Sequence, residues 1–258
     1  MSLADCAASE LGYTCISRET LVNAAVQRYG VPEQKLMDAL TRKPGFVDQL
    51  TKEKSHYLLC LRAALIRMAQ DEKMMYHGHA GHLLLQGAPH LLRVRVIADM
   101  EFRINAVMNT RHLSRKDAVD FIERVDSERS KWTRFLYHVD WNDPSLYDLV
   151  LNIDQLKIED ACEIVCNAAR LEKFMATPES RRQLENLALS TEARGVVACD
   201  AARKGVADAG VEIEAESGIV TISGTVASLE DSDRIRELVS KVPGVKAVDS
   251  RIEVWPHW

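Results

Sequence analysis

Apolar residues recur at helical spacing in several stretches of the chain and alternate in others, and these two periods divide it into elements. Leu3–Leu11 reads as a helix closed by Gly12, a residue that enters the left-handed cap conformation freely. Tyr13–Ser17 reads as a short strand, and Glu19–Tyr29 as a helix stopped by Gly30 and Pro32. Leu58, Leu61, Leu65 and Met68 lie on one face of a helix over 56–69. Met74–His77 is a short apolar strand running into the turn GHAG (78–81). Leu92–Ala98 is a strand followed by a helix from Glu101; Tyr147–Asn152 is a further strand and Ile158–Leu171 a further helix. Strands separated by helices predict crossover connections and a parallel sheet, so the first 175 residues read as an α/β domain.

The pattern changes after a polar stretch, ATPESRRQLENLALS (176–190). A helix over 191–209 precedes two alternating strands in VEIEAESGIVTISGTV (211–226), joined by a turn at Ser217–Gly218. Ser228–Val242 is an amphipathic helix, and Val248, Ile252 and Val254 alternate in a last strand. Helices on one face of a small sheet make this an α+β unit. The division predicted is 1–175, an exposed linker at 176–188, and 189–258. Trp255 and Trp258 read as a cap on the sheet.

Composition narrows the possibilities. Of the 258 residues 47% are apolar and 28% charged, enough for a sizeable core and incompatible with wholesale disorder. The net charge of −5 argues against a nucleic-acid scaffold. No apolar run reaches the ~20 residues of a membrane span, and MSLADCAASEL lacks a signal peptide's charged-then-apolar design, so a cytoplasmic protein is expected. Cys6, Cys15, Cys60, Cys162, Cys166 and Cys199 follow no framework spacing and read as buried free thiols.

Phosphoryl transfer needs cations around the moving group and exclusion of water more than it needs covalent help. Residues 115–137, RKDAVDFIERVDSERSKWTRFLY, carry Arg124, Arg129 and Arg134 five apart, fanned over more than one face. Spacing alone favours a solvated helix whose acids and arginines pair, as Asp126 and Arg129 could. His77, His79 and His82 crowd one strand-to-loop junction without an intervening carboxylate, so no metal site is expected there. Binding of a phosphate or a base edge by an imidazole is the sharper alternative to ordinary polar loop residues.

The order of segments adds to this. LGYTCISRETLVNAA (11–25), MMYHGHAGHLLL (74–85), LLRVRVIADMEFRI (91–104), IERVDSERSKW (122–132) and DWNDPSLYDLVLNID (140–154) together resemble the cytidylate-kinase-like family of P-loop nucleoside monophosphate kinases. The resemblance implies a parallel-sheet kinase-like domain and phosphoryl transfer from ATP, with Mg²⁺, to a nucleoside monophosphate of the CMP type. It implies that Arg124, Asp126, Arg129 and Arg134 form the catalytic lid, the arginines stabilising charge and Asp126 orienting the lid. It further implies that Arg18, Gly78, His79, Gly81 and His82 bind the acceptor nucleotide.

A phosphate-cradling G-x-x-x-x-G-K-[ST] stretch is not found in the 258 residues. In such kinases the strand leading into that loop separates the strand matching 74–77 from the one matching 92–98. This chain starts after it, so a gap between those two strands, or their direct pairing, is expected. The alternative function is an inactive nucleotide-binding or regulatory module. In the last part, GIVTISGTVASLED and VPGVKAVDSRIEV resemble a BON domain. That resemblance implies protein or envelope attachment; the acidic balance favours a protein partner, and membrane contact is not expected.

Overall fold

The computed structural model describes residues 2–41, 48–71, 73–79, 81–204 and 210–255. α1 (Leu3–Leu11) starts in a reciprocal box: the Ser2 hydroxyl accepts from the Asp5 amide at 3.2 Å, and the Ser2 amide donates to the Asp5 carboxylate at 3.1 Å. Gly12 ends it at φ 68°. β1 (Thr14–Ile16) runs into α2 (Arg18–Tyr29), capped by Ser17. Next come α3 (Glu33–Thr41), α4 (Asp48–Ala69), β2 (Met74–Tyr76) and the single turn α5 (Gly81–Leu84). β3 (Val94–Ile97), α6 (Met100–Arg111), α7 (Arg115–Tyr137), β4 (Leu149–Asn152) and α8 (Ile158–Ala169) complete the first part. Helix α3 was not expected from the pattern; it forms because Leu36, Ala39 and Leu40 share a face buried against the helical core.

The parallel strands do not make one sheet. β1 pairs with β2, Thr14 opposite Met74 through Ile16 opposite Tyr76, and β3 pairs with β4, Val94 opposite Leu149 through Ile97 opposite Asn152. Among the described residues no ladder joins β2 to β3, so the expected gap between these strands is present. One helical layer spans it. Ala7 of α1 packs with Ala161, Cys162, Val165 and Cys166 of α8, and this cluster also takes in Met75 of β2 and Val94 of β3. The larger core is helical and joins α2, α3, α4, α5 and Trp132 of α7.

α9 (Pro178–Lys204) links this core to the C-terminal part. Residues 176–188, expected as an exposed linker, are helical from Pro178. Leu184, Leu187 and Ala188 repeat at i, i+3 and i+4 and pack into the helical core with α4, so apolar spacing outweighs a polar composition here. Further along, Ala193 and Val197 enter the core of β5 (Gly210–Glu216), β6 (Ile219–Val226), α10 (Leu229–Ser240) and β7 (Ala247–Val254). The expected end of this helix, at 209, lies outside the described residues. β6 is central, antiparallel to β5 and parallel to β7. Ser217 (φ 52°) and Gly218 (φ 91°) make the predicted two-residue hairpin, whose left-handed backbone matches the strand twist.

Two expectations are corrected. Cys60 of α4 and Cys199 of α9 are joined in a disulfide, with Cα atoms 6.4 Å apart, because helix packing brings them face to face; Cys162 and Cys166 are buried free thiols as expected. Trp255 is 65% exposed and does not cover the sheet; Trp258 lies outside the described residues. No helix among the described residues is long and apolar enough to cross a membrane.

Candidate functional site

The carboxyl ends of parallel strands are where α/β folds gather ligand-binding groups. Arg18 opens α2 directly after β1, and its guanidinium leans on Glu19 at 2.8 Å. After β2 come Gly78 and His79; after β3, Asp99 caps α6 by accepting from the Phe102 amide at 2.7 Å. That cap fixes the first turns of α6, from which Arg103 donates to the Asp126 carboxylate of α7 at 2.7 Å. The second Asp126 oxygen is buried with no partner among the described residues.

Arg129 sits one turn beyond Asp126. Desolvation holds its pKa below the ordinary value, against the pull of Asp126 and reinforced by the positive fields of Arg103 and Arg18. Arg103 is tied to Asp126 and Arg18 to Glu19, and the positive fields of both reach Arg129. That excess of positive charge suits a phosphate group.

Beside the arginines stands an aromatic wall. His79 lies with its ring 5.2 Å from Trp132 and 5.8 Å from Trp141, edge to face. The Trp132 indole donates to the Ala39 carbonyl at 2.8 Å, which anchors α7 on α3. Arg129 is 5.9 Å from the Trp141 ring; Arg95 covers Trp141 at 4.9 Å and Tyr147 at 5.5 Å, while donating to the Trp141 carbonyl at 2.6 Å. His82 tilts against Tyr147 at 4.8 Å. Burial, with the positive charge of Arg129 next and then His82, pushes His79 down to about 3. Burial, with Arg93 and Arg95, pushes His82 down to about 4. Both imidazoles are neutral at neutral pH, and in each Nε2 is buried without a hydrogen-bond partner among the described residues.

The two glycines accommodate something other than a ligand in this structure. A Cβ on Gly81 would meet the Tyr76 ring at 2.3 Å, and one on Gly78 would meet its hydroxyl at 2.7 Å. Both leave room for Tyr76, whose hydroxyl burial pushes up to about 12. Beyond His82 opens a cavity of about 350 Å³ lined by Arg93, Tyr137, Asp148, Lys173 and Phe174. There Arg93 grips Asp148 through two bonds of 3.0 Å, which holds that carboxyl down to about 2.

Of the residues the sequence singled out, Asp126 and Arg129 stand one turn apart on α7, His79 feels the charge of Arg129, and Arg18 reaches Arg129 only through its positive field. Arg124 does not join them: it is exposed, 3.8 Å from Glu128 and 5.5 Å from the Phe121 ring. Arg134 pairs with Asp140 at 2.7 Å. Arg103, Arg95, Trp141 and Tyr147 were not singled out. An arginine inside the apolar strand VRVI, and one in the first turn after an Asp cap, were the signals available.

A model of the cytidylate kinase-like family matches residues 2–155, more than half of the sequence. The chain belongs to the cytidylate kinase-like family. A BON domain model matches residues 199–256. None of the curated proteins matches. Among solved structures, an uncharacterized protein from Eubacterium ventriosum ATCC 27560 aligns at a TM-score of 0.50 and 16% identity, over 64% of this chain and 88% of its own. That likeness concerns the fold alone.

Family membership raises the question of ATP and Mg²⁺. Asp99 and Asp154 stand just beyond the ends of β3 and β4, and both are engaged: Asp99 caps α6, and Asp154 accepts from the Asp99 amide at 2.8 Å. No group of three or more His, Cys, Asp or Glu able to hold a metal occurs among the described residues. The residues present do not fit a donor triphosphate with its metal, and no step is derived through either.

Proposed function

We propose that Arg18, Arg103 and Arg129 bind the phosphate of a nucleoside monophosphate of the CMP type, and that the protein acts in phosphoryl transfer to it. The observation that supports this is the ion pair of Arg103 with Asp126 one turn from Arg129, in the positive field of Arg18. Burial is the main reason the Arg129 pKa is lowered, and a bound phosphate would offset the added repulsion from Arg103 and Arg18. Arg103, held by Asp126, and Arg18, held by Glu19, would orient the phosphate oxygens; Arg129 would spread positive charge over the oxygen that receives the phosphoryl group. Trp141 and the neutral His79 would wall the site against water. ATP with Mg²⁺ is the donor expected of the family, with no residue of this chain assigned to hold it. The BON-like part would attach a protein partner.

Calorimetric titration with CMP, UMP and dCMP tests binding, and ADP release with the same acceptors tests transfer. Binding abolished by Arg129→Ala, with ADP release, supports the kinase reading. Binding without ADP release leaves a nucleotide-binding module, the second reading, which the lack of a G-x-x-x-x-G-K-[ST] stretch in the sequence favours. Absence of binding overturns both.

A further inference from the structure

A second cationic groove lies far along the chain from these residues, where α4, α9 and β5 meet. It has a volume of about 540 Å³ and is lined by Arg62, Asn186, Ser190, Arg194 and Glu214 among others. Arg62 reaches in from α4, anchored through one Nη donating to the Gln86 carbonyl at 2.7 Å. Arg194 reaches in from α9, anchored through Nε donating to the Ile213 carbonyl at 3.1 Å. Each anchor is a backbone carbonyl, and no carboxylate within the described residues forms an ion pair with either arginine. Most of their N–H donors are left over, five being available on each guanidinium. Asn186 adds another: its Oδ1 accepts from the Ser217 amide at 2.9 Å, which orients its NH₂ group as a spare donor. The Ser190 and Thr191 hydroxyls are already spent on the Leu187 carbonyl.

Two guanidiniums are thus held beside each other, each by a neutral acceptor. Burial lowers the Arg62 pKa, Tyr137 pulls it back up, and Arg194 lowers it again. Structural arginines at a junction are ordinarily matched with acids, as Arg28 is with the buried Glu192 at 2.6 Å a few turns away. Here no ion pair with an acid holds either arginine among the described residues, although Glu214 also lines the groove, and the space in front of the pair is of ligand size.

We propose that this groove binds a phosphate group, carried by a small soluble phosphomonoester or as inorganic phosphate, between the arginines of α4 and α9 with Asn186 as a third donor. The bound group would bridge the kinase-like core and the C-terminal sheet, because Arg62 belongs to the first and Arg194 is tied to β5. This inference does not depend on the kinase reading.

The probe is inorganic phosphate, measured by equilibrium dialysis on the full chain carrying Arg129→Gln, which removes the other candidate phosphate site. The expected result is about one equivalent bound, with affinity falling roughly 10-fold or more on adding Arg194→Gln or Arg62→Gln, since each removes a charge-assisted hydrogen bond. Glu214→Gln should tighten binding, and this gain of function does not depend on the arginine variants folding. No binding by the Arg129→Gln protein, binding untouched by the groove substitutions, or capture by phosphatidic acid vesicles without binding of free phosphate would each overturn the proposal. Failure of CMP to bind the unsubstituted protein would overturn the kinase reading and leave this one standing.

Discussion

β6 is bonded along both edges, to β5 through seven residues and to β7 through eight, whereas β2 and β3 each have a partner on one side only among the described residues. The C-terminal sheet therefore has a fully paired central strand, with free edges only at β5 and β7, around its own core of Ile213, Val220, Ile222 and Val239. The N-terminal strands are three or four residues long, pair two by two, and rely on α1 and α8 to hold the pairs together. Side chains follow the same division. Arginines, aromatics and unpaired imidazoles gather at the ends of the short strands, while the long strands present an apolar face inward and acids outward. A region built to bind leaves polar groups unmatched; a region built to stand leaves few.

The largest expected effect tests whether the unmatched groups of the N-terminal region do the binding. Arg129→Ala should lower phosphoryl transfer by about 10²–10³-fold, as loss of one preorganised charge donor does elsewhere. Arg134→Ala should change it little, since that side chain is spent on Asp140 at the surface. Steady-state kinetics with CMP checks both. Equal effects of the two variants would dissolve the distinction between clustered and scattered lid arginines.

Next in size is the staple inside the helical core, between α4 and α9. Cys60 and Cys199 are separated by 139 residues, and both are buried. Opening such a cross-link frees the unfolded chain and typically costs about 2–4 kcal/mol. A thermal melt with and without dithiothreitol should show a lower Tm for the helical core under reduction. The C-terminal sheet, with its own core, should shift less; an equal shift of both would mean that the regions melt as one unit.

Much of this division was legible in the sequence, for local reasons. Ser2, Ser17, Ser114 and Ser228 each sit before an apolar-periodic run and each caps a helix. The Ser217–Gly218 turn followed from alternation on both sides of it. The gap between β2 and β3 followed from the family resemblance rather than from periodicity. What stayed hidden is non-local. α3 is only nine residues long, and its apolar face is defined by the helices packed on it, α7 among them through Trp132. The start of α9 looked like a linker because PESRRQ is polar, although Leu184, Leu187 and Ala188 already had helical spacing. Arg103 joins the site through Asp126, 23 residues away, and no spacing rule pairs them. The bond between Cys60 and Cys199 is of the same kind.

A smaller effect probes the C-terminal sheet. Gly224 has φ 124°, and a Cβ there would come within 2.3 Å of the Gly210 carbonyl oxygen on β5. Gly224→Ala combines a disfavoured backbone with a collision against main chain that cannot swing aside. It should cost about 1–3 kcal/mol, seen as a lower denaturant midpoint for the C-terminal transition alone. Loss of CMP binding in this variant would show that the two regions are coupled more tightly than their separate cores suggest.

The smallest effect returns to the unmatched groups and gives them a pH signature. His79 and His82 are held down to about 3 and about 4, from an ordinary value of 6.5, chiefly because burial disfavours the charged ring. In the unfolded chain they take up protons as pH falls through 6.5; in the folded protein they do so only near 3 to 4. The unfolded state therefore binds more protons between these limits, and stability must fall as pH falls across that window. Above 6.5 both states are neutral and the contribution is fully present. Tm measured from pH 7.5 to 5 should decline for the unsubstituted protein and decline less steeply for His79→Gln, which removes one titrating ring from the wall beside Trp132 and Trp141. A bound phosphate, placing negative charge next to Arg129, should ease His79 protonation and flatten the same slope. If His79→Gln leaves the slope unchanged, the imidazole is not held in the dry, positively charged surroundings that set it apart from any group in the C-terminal sheet.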